Sequence, residues 1–244
     1  MCTTCGCNLT PNHRTSTTTD AKSTVRILRA LLSENDQQAA HNREHFGQHQ
    51  IVAINLMSSP GAGKTALLEA TIEALRDEFA IAVIEGDLET ENDAMRIRKK
   101  GVPAVQITTG SACHLDAQMV HGALHQLDLA SLDLLFIENV GNLVCPASFD
   151  LGQQTNVVLL STTEGDDKPA KYPVMFRAAD LLLLSKADLL PILDDFDVKK
   201  TEAHFRNLAN AAPILTLSAK TGVGMSHWLQ WIRQQLELPQ RNRP

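Results

Sequence analysis

The octapeptide Ser58-Ser59-Pro60-Gly61-Ala62-Gly63-Lys64-Thr65 constrains this chain more than any other stretch. It follows a short apolar run, residues 51–57, and opens a helix-like segment, residues 66–77. A glycine-rich turn between a strand and a helix curls its N–H groups around phosphate oxygens, and the helix N-terminus adds positive potential. Lys64 is then placed to reach the β- and γ-phosphates of a nucleotide, and Thr65 to ligate Mg²⁺. Ser59, Gly61, Ala62, Gly63 and Ala66 complete the expected cradle. Ser58 stands where the common pattern begins with glycine, but the residues that carry the chemistry are present. The competing reading is a plain strand–helix turn with a solvated lysine.

The rest of the chain supports the nucleotide reading. Apolar runs at 51–57, 81–85, 104–107, 132–137, 157–160, 181–184 and 214–217 alternate with helix-like stretches at 66–77, 91–100, 115–127, 201–211 and 225–236. Most runs are continuous rather than alternating, as expected of strands buried on both faces. The alternation predicts an α/β fold, a mostly parallel sheet flanked by helices, with ligands beyond the carboxyl ends of the strands. Ahead of this domain, expected over 50–239, residues 1–19 read as a flexible tail. Residues 20–49 read as a helix followed by a linker. Asp20 is the expected cap of that helix, which ends near residue 32, and the polar stretch 33–49 is the linker. Residues 240–244 read as a disordered tail. His41 and His45 in the linker have metal-binding spacing on a helix, but solvated polar residues are the plainer reading.

A chain of 244 residues with 43% hydrophobic content is long and apolar enough to bury a core. A net charge of −6 argues against nucleic acid and anionic membranes as partners. No apolar run approaches the ~18 residues of a membrane span, and no export signal is legible, so the cytoplasm is the expected location.

Carboxylates fall where a magnesium site needs them. Asp87 follows the second apolar run and Glu138 the fourth. Gly141 lets the backbone approach a γ-phosphate and move when it leaves. Asn142 stands where some GTPases place a water-orienting glutamine, so unaided hydrolysis is expected to be slow. Ser185-Lys186-Ala187-Asp188 follows the sixth run and matches the guanine-reading Asn-Lys-x-Asp motif except at Ser185, a departure expected to loosen selectivity. Asp188 would accept from the guanine N–H groups, and Lys186 would lay its stem along the base. Ser218, Ala219 and Lys220, after the seventh run, match the loop that touches the guanine O6.

The five cysteines fall into two groups. Cys2, Cys5 and Cys7, joined by the N-terminal amine once Met1 is trimmed, can hold Ni(II) in a plane or Zn(II) in a tetrahedron. The alternative is a redox-labile tail. Cys113, His114 and Cys145 are too few to close a structural site, so they leave an exchange position or pair with a second copy. Two buried cysteines are the plainer alternative there.

With these residues in view, the chain resembles the HypB family, the hydrogenase nickel-incorporation GTPases, across nearly its whole length. The carriers are CTTCGC, SSPGAGKT, EGDLET, GSACHLDA, ENVGNLVCP, TEGDDKP, SKAD and SAK. The resemblance implies a P-loop NTPase domain of the SIMIBI type that hydrolyses GTP with Mg²⁺ and delivers nickel to [NiFe]-hydrogenase. It implies a high-affinity nickel site at Cys2, Cys5 and Cys7. A weaker nickel or zinc site is implied at Cys113, His114 and Cys145, where two subunits of a GTP-promoted homodimer meet. Lys168 is expected to reach towards the neighbouring subunit's nucleotide. The implied partners are HypA-type metallochaperones, a prolyl-isomerase metallochaperone and the hydrogenase large-subunit precursor. The rival readings are a GTPase maturing another nickel enzyme such as urease, a metal-storage protein with a vestigial nucleotide site, and an ATP-dependent kinase.

Overall fold

Each apolar run becomes a strand, and within each strand successive side chains enter different cores. Val52, Ile54 and Leu56 lie in one apolar cluster while Ile51 and Ala53 lie in another, and Leu134 and Phe136 part from Leu135 and Ile137 in the same way. Leu181 and Leu183 likewise part from Leu182 and Leu184. Period-two side chains with apolar residues on both faces require helices above and below the sheet. The computed structural model describes the backbone of residues 18–238 and the side chains of residues 30–238. The segment holding Cys2, Cys5 and Cys7 and the tail expected over 240–244 lie outside the described residues.

The elements run α1 (Thr18–His49), β1 (Val52–Ser58), α2 (Lys64–Leu75), β2 (Ile81–Asp87), α3 (Asn92–Lys99), β3 (Ala104–Thr108) and α4 (Ala117–Leu124). They continue with β4 (Leu134–Glu138), β5 (Thr155–Ser161), α5 (Lys168–Lys171), α6 (Pro173–Arg177), β6 (Leu181–Ser185), α7 (Val198–Arg206), β7 (Ile214–Thr216) and α8 (Met225–Glu237). The seven strands form one sheet in the order β3-β2-β4-β1-β5-β6-β7, and every pairing is parallel. The expectation of a mostly parallel sheet is met by a wholly parallel one. All strand C-termini therefore lie on one edge. Insertion of β4 between β1 and β2 makes a topological switch there, where open α/β sheets bind ligands.

The linker expected over 33–49 is a correction: α1 is helical through His49. Among its described side chains, the buried ones are Asn35, Ala39, Asn42 and Phe46, spaced four, three and four residues apart, a helical stripe. Half of the stripe is asparagine, so a scan for apolar periodicity misses it. The amides are satisfied across the contact. Asn35 donates to the Asp150 carbonyl and accepts from the Ala117 N–H, and Asn42 Nδ2 donates to the carbonyls of Ala117 and Leu151. Gly152 sits under the helix at φ +90°, where a Cβ would lie 2.6 Å from the Ala39 carbonyl oxygen.

Candidate functional site

The glycine-rich turn between β1 and α2 rests on two residues in the left-handed region. Gly61 and Gly63 have φ values of +74° and +99°, which L side chains adopt only with strain, and Gly63 precedes the first turn of α2. The Lys64 ammonium folds back over the turn, donates to Ser58 Oγ at 3.1 Å and lies 3.9 Å from Glu138 Oε1. Thr65 Oγ1 donates to Glu138 Oε1 at 3.0 Å.

Glu138 has a neighbour that was not apparent in the sequence. Glu85 is its register partner on the adjacent strand, and the two carboxyls are 2% and 4% exposed. Burial first, then the Glu138 charge, push the Glu85 carboxyl far above the usual carboxyl range. Burial also raises Glu138, with Lys64 opposing. Glu85 is therefore protonated at neutral pH and donates to Glu138. The remaining oxygens, Glu85 Oε2 and Glu138 Oε2, have no hydrogen-bond partner, nor has the buried Ser59 Oγ. Orphaned hard oxygens beside a threonine hydroxyl and a phosphate turn fit Mg²⁺ and phosphate. Thr65 and Glu138 are the residues that would hold the ion.

The state of Glu85 gives a pH prediction. Its folded pKa is raised, so above the ordinary carboxyl value near 4.3 the unfolded chain releases a proton that the fold retains. Stability from this group is complete below that value and declines as pH rises toward the folded pKa. In nucleotide-free protein, wild type should lose up to about 1.4 kcal/mol per pH unit relative to Glu85→Gln between pH 5.5 and 8.5. Urea denaturation at a series of pH values measures this, and parallel slopes for the two proteins would refute a buried neutral Glu85.

Asp87 ends β2 at the same sheet edge. Its oxygens accept from the Leu88 N–H, the Thr90 N–H and Thr90 Oγ1. Burial works against its charge, but the Thr90 and Leu88 bonds outweigh it and hold the carboxyl below its usual value.

The loops expected to read the base are tied to each other and to the phosphate turn. Ser218 Oγ donates to Asp188 Oδ1 at 2.6 Å, and the Ala187 N–H donates to the Leu217 carbonyl. Lys186 is held at φ +58°, with Thr162 Oγ1 donating to its carbonyl. Such a conformation persists where the surroundings enforce it. Ser185 Oγ donates to the Ala62 carbonyl at 2.7 Å. The residue that departs from the guanine motif thus ties the base loop to the phosphate turn. Lys220 is exposed beyond Ala219. Lys168 opens α5, its ammonium 5.3 Å from the centre of the Tyr172 ring.

Cys113, His114 and Cys145 come together from segments 32 residues apart. The two sulfurs are 3.0 Å from one another, and Cys113 Sγ is 3.8 Å from His114 Nδ1. One ligand atom from each of the three lies within 4.8 Å of the others. The His114 ring stacks on Phe149 at 3.8 Å, and burial holds its pKa below the usual value despite Asp116. A neutral ring and two thiols form a borderline-to-soft set of three donors.

The segment 138–145 runs directly from one site to the other. Glu138 contacts Thr65 and Lys64. At Gly141 a Cβ would lie 2.8 Å from Pro60 Cα, so the glycine is pressed against the phosphate turn. The Asn142 N–H donates to the Ser58 carbonyl at 2.8 Å, and its Nδ2 donates to the Cys113 carbonyl at 3.3 Å. Asn139 accepts from the Leu115 N–H, next to His114. Asn142 thus bonds to both the phosphate turn and the loop that carries Cys113. Sequence reasoning missed the bridging roles of Asn139 and Asn142, as it missed Glu85. Their proximity in the sequence to Cys145 was the available signal.

Residues 52–216 match the model of the CobW/HypB/UreG nucleotide-binding domain. The hydrogenase maturation factor HypB of Azotobacter vinelandii is 56% identical over 211 residues, 86% of this chain and 69% of its own length. The hydrogenase/urease maturation factor HypB of Helicobacter hepaticus is 45% identical over 232 residues, 93% of this chain and 95% of its own. Among solved structures, HypB from Helicobacter pylori in complex with nickel superposes with a TM-score of 0.79 at 44% identity, covering 83% of this chain and 95% of that one.

Proposed function

This chain belongs to the HypB family of hydrogenase maturation factors, and from that premise we propose that it is a GTP-hydrolysing nickel metallochaperone for [NiFe]-hydrogenase. The observation that carries the reading is the segment 138–145, which touches the phosphate turn at Glu138, Gly141 and Asn142 and ends at Cys145. Nickel is the cargo, held between Cys113, His114 and Cys145. A nickel complex of the Helicobacter pylori relative supports that cargo.

The phosphate-turn N–H groups and Lys64 bind the triphosphate and offset charge on the oxygens in transfer. Mg²⁺, held by Thr65 and Glu138 with Asp87 at the same edge, supplies further charge when bound. Entry of a γ-phosphate presses on Pro60 and Gly141, and Asn142 carries that displacement to the backbone of Cys113. Metal affinity and nucleotide state are then linked reciprocally. A set of three donors suits a site shared across a GTP-promoted homodimer, with Lys168 reaching the second nucleotide. Zn²⁺ would occupy the same donors as a competing ion. The tail cysteines Cys2, Cys5 and Cys7 would form the tighter nickel store. HypA-type and prolyl-isomerase metallochaperones and the hydrogenase large-subunit precursor are the proposed partners, in the cytoplasm. Relatives named as hydrogenase/urease maturation factors favour a second reading, in which the same cycle also serves urease.

Guanine selectivity tests the nucleotide half of this reading. GDP should compete for the site far better than ADP, and Asp188→Ala should erase most of that preference, about 1–3 kcal/mol or roughly 5- to 150-fold. A preference for ADP in the wild type would overturn the GTPase assignment and favour a kinase.

A further inference from the structure

Four imidazoles outside both sites converge where α1 crosses α4. His41 and His45 lie one turn apart on α1, and His121 lies on α4 one turn before His125 at its C-terminal end. Ring centroids are 4.7 Å apart for His41 and His45, 5.0 Å for His41 and His121, 5.6 Å for His45 and His121, and 4.6 Å for His121 and His125. One ligand nitrogen from each of His41, His45 and His121 lies within 4.8 Å of the other two. His125 Nε2 is 3.2 Å from His121 Nε2. A tetrahedral ion bound at ~2.05 Å to each nitrogen needs nitrogen spacings of about 3.3 Å, within reach of small side-chain rotations.

The surroundings fit ligation better than simple contact. His121 Nδ1 lies 3.2 Å from Asn42 Oδ1. Asn42 is fully buried, and its Nδ2 donates to Ala117 and Leu151, so its oxygen can only accept. His121 therefore carries its proton on Nδ1 and turns the Nε2 lone pair toward the other rings. An outer hydrogen bond that fixes the tautomer is the usual support for a ligating histidine. Among the described residues, no carboxylate forms an ion pair or hydrogen bond with the four rings. Burial, then repulsion from the neighbouring histidines, holds His45 and His121 below the usual imidazole pKa, which favours the neutral ligand form.

We propose that His41, His45, His121 and His125 form a divalent transition-metal site, built only of imidazoles, that clamps α1 to α4. Imidazole donors suit borderline ions such as Zn(II) and Ni(II). The site differs in kind from the thiol pair, and α4 begins at Ala117, three residues after His114, so a clamped α1 braces the loop that carries Cys113 and His114.

Zinc binding to the untagged full-length chain tests this by equilibrium dialysis. His45→Ala/His121→Ala should bind one zinc fewer than wild type, the affinity of that equivalent falling at least about 100-fold. His227→Ala, an exposed histidine on α8, should bind as wild type does. A chain with all five cysteines replaced by alanine should retain one zinc, and its Co(II) spectrum should lack thiolate charge-transfer bands. Equal zinc stoichiometry in wild type and the double histidine variant would overturn the proposal, and that comparison decides even if the cysteine-free chain fails to fold.

Discussion

Lys64→Ala is expected to lower GTP turnover by about 100- to 1,000-fold. The effect is large because the ammonium is already in position. It lies 8% exposed over the phosphate turn, held by Ser58 Oγ and facing Glu138, so it meets the triphosphate with little reorganisation. Alanine removes that charge and also the cation nearest the Glu85–Glu138 pair. Glu138 then becomes a weaker ligand for Mg²⁺, because the Lys64 charge leads the groups that oppose its protonation, ahead of the hydrogen bonds from Glu85 and Thr65. GTP affinity should fall together with kcat. Phosphate release by purified wild type and variant measures the change. Turnover of the variant within threefold of wild type would end the enzyme reading and favour a metal buffer with a vestigial nucleotide site.

What could be read from the sequence was what is local in it. A glycine-rich turn after an apolar run, and carboxylates or cysteines just beyond later runs, are patterns a few residues long. The unread features depend on non-local pairing. Glu85 lies inside the second apolar run, and nothing in that run shows that Glu138 will face it, because β4 enters between β1 and β2. The second half of α1 was illegible because Asn35 and Asn42 take buried positions ordinarily filled by Leu or Ile, and their partners are Ala117, Asp150 and Leu151. His121 and His125 gained significance only once that helix was docked. Ser185 read as a defect in a base-binding motif, whereas its hydroxyl joins two loops of the same site. Cys113 and Cys145 could be grouped by motif, but their 3.0 Å separation follows from how two loops fold against one sheet edge.

The second large effect concerns the thiol site. Cys145 is 7% exposed, lies against Cys113, and ends the segment that begins at Glu138. Cys145→Ala leaves one sulfur and one imidazole, and metal affinity at this site should fall at least about 100-fold. The same substitution should remove any response of metal affinity to nucleotide. In wild type that response is expected because Gly141 packs closely against Pro60 of the phosphate turn, where a Cβ would lie 2.8 Å from Pro60 Cα. Coupling of this kind is typically worth 5- to 150-fold in affinity. The direct measurement is calorimetric titration of nickel into wild type and Cys145→Ala, each loaded with GDP or with a non-hydrolysable GTP analogue. The Cys145-dependent affinity should differ at least about fivefold between the two nucleotides. Identical nickel affinities in both loaded states would contradict a nucleotide-gated metal site.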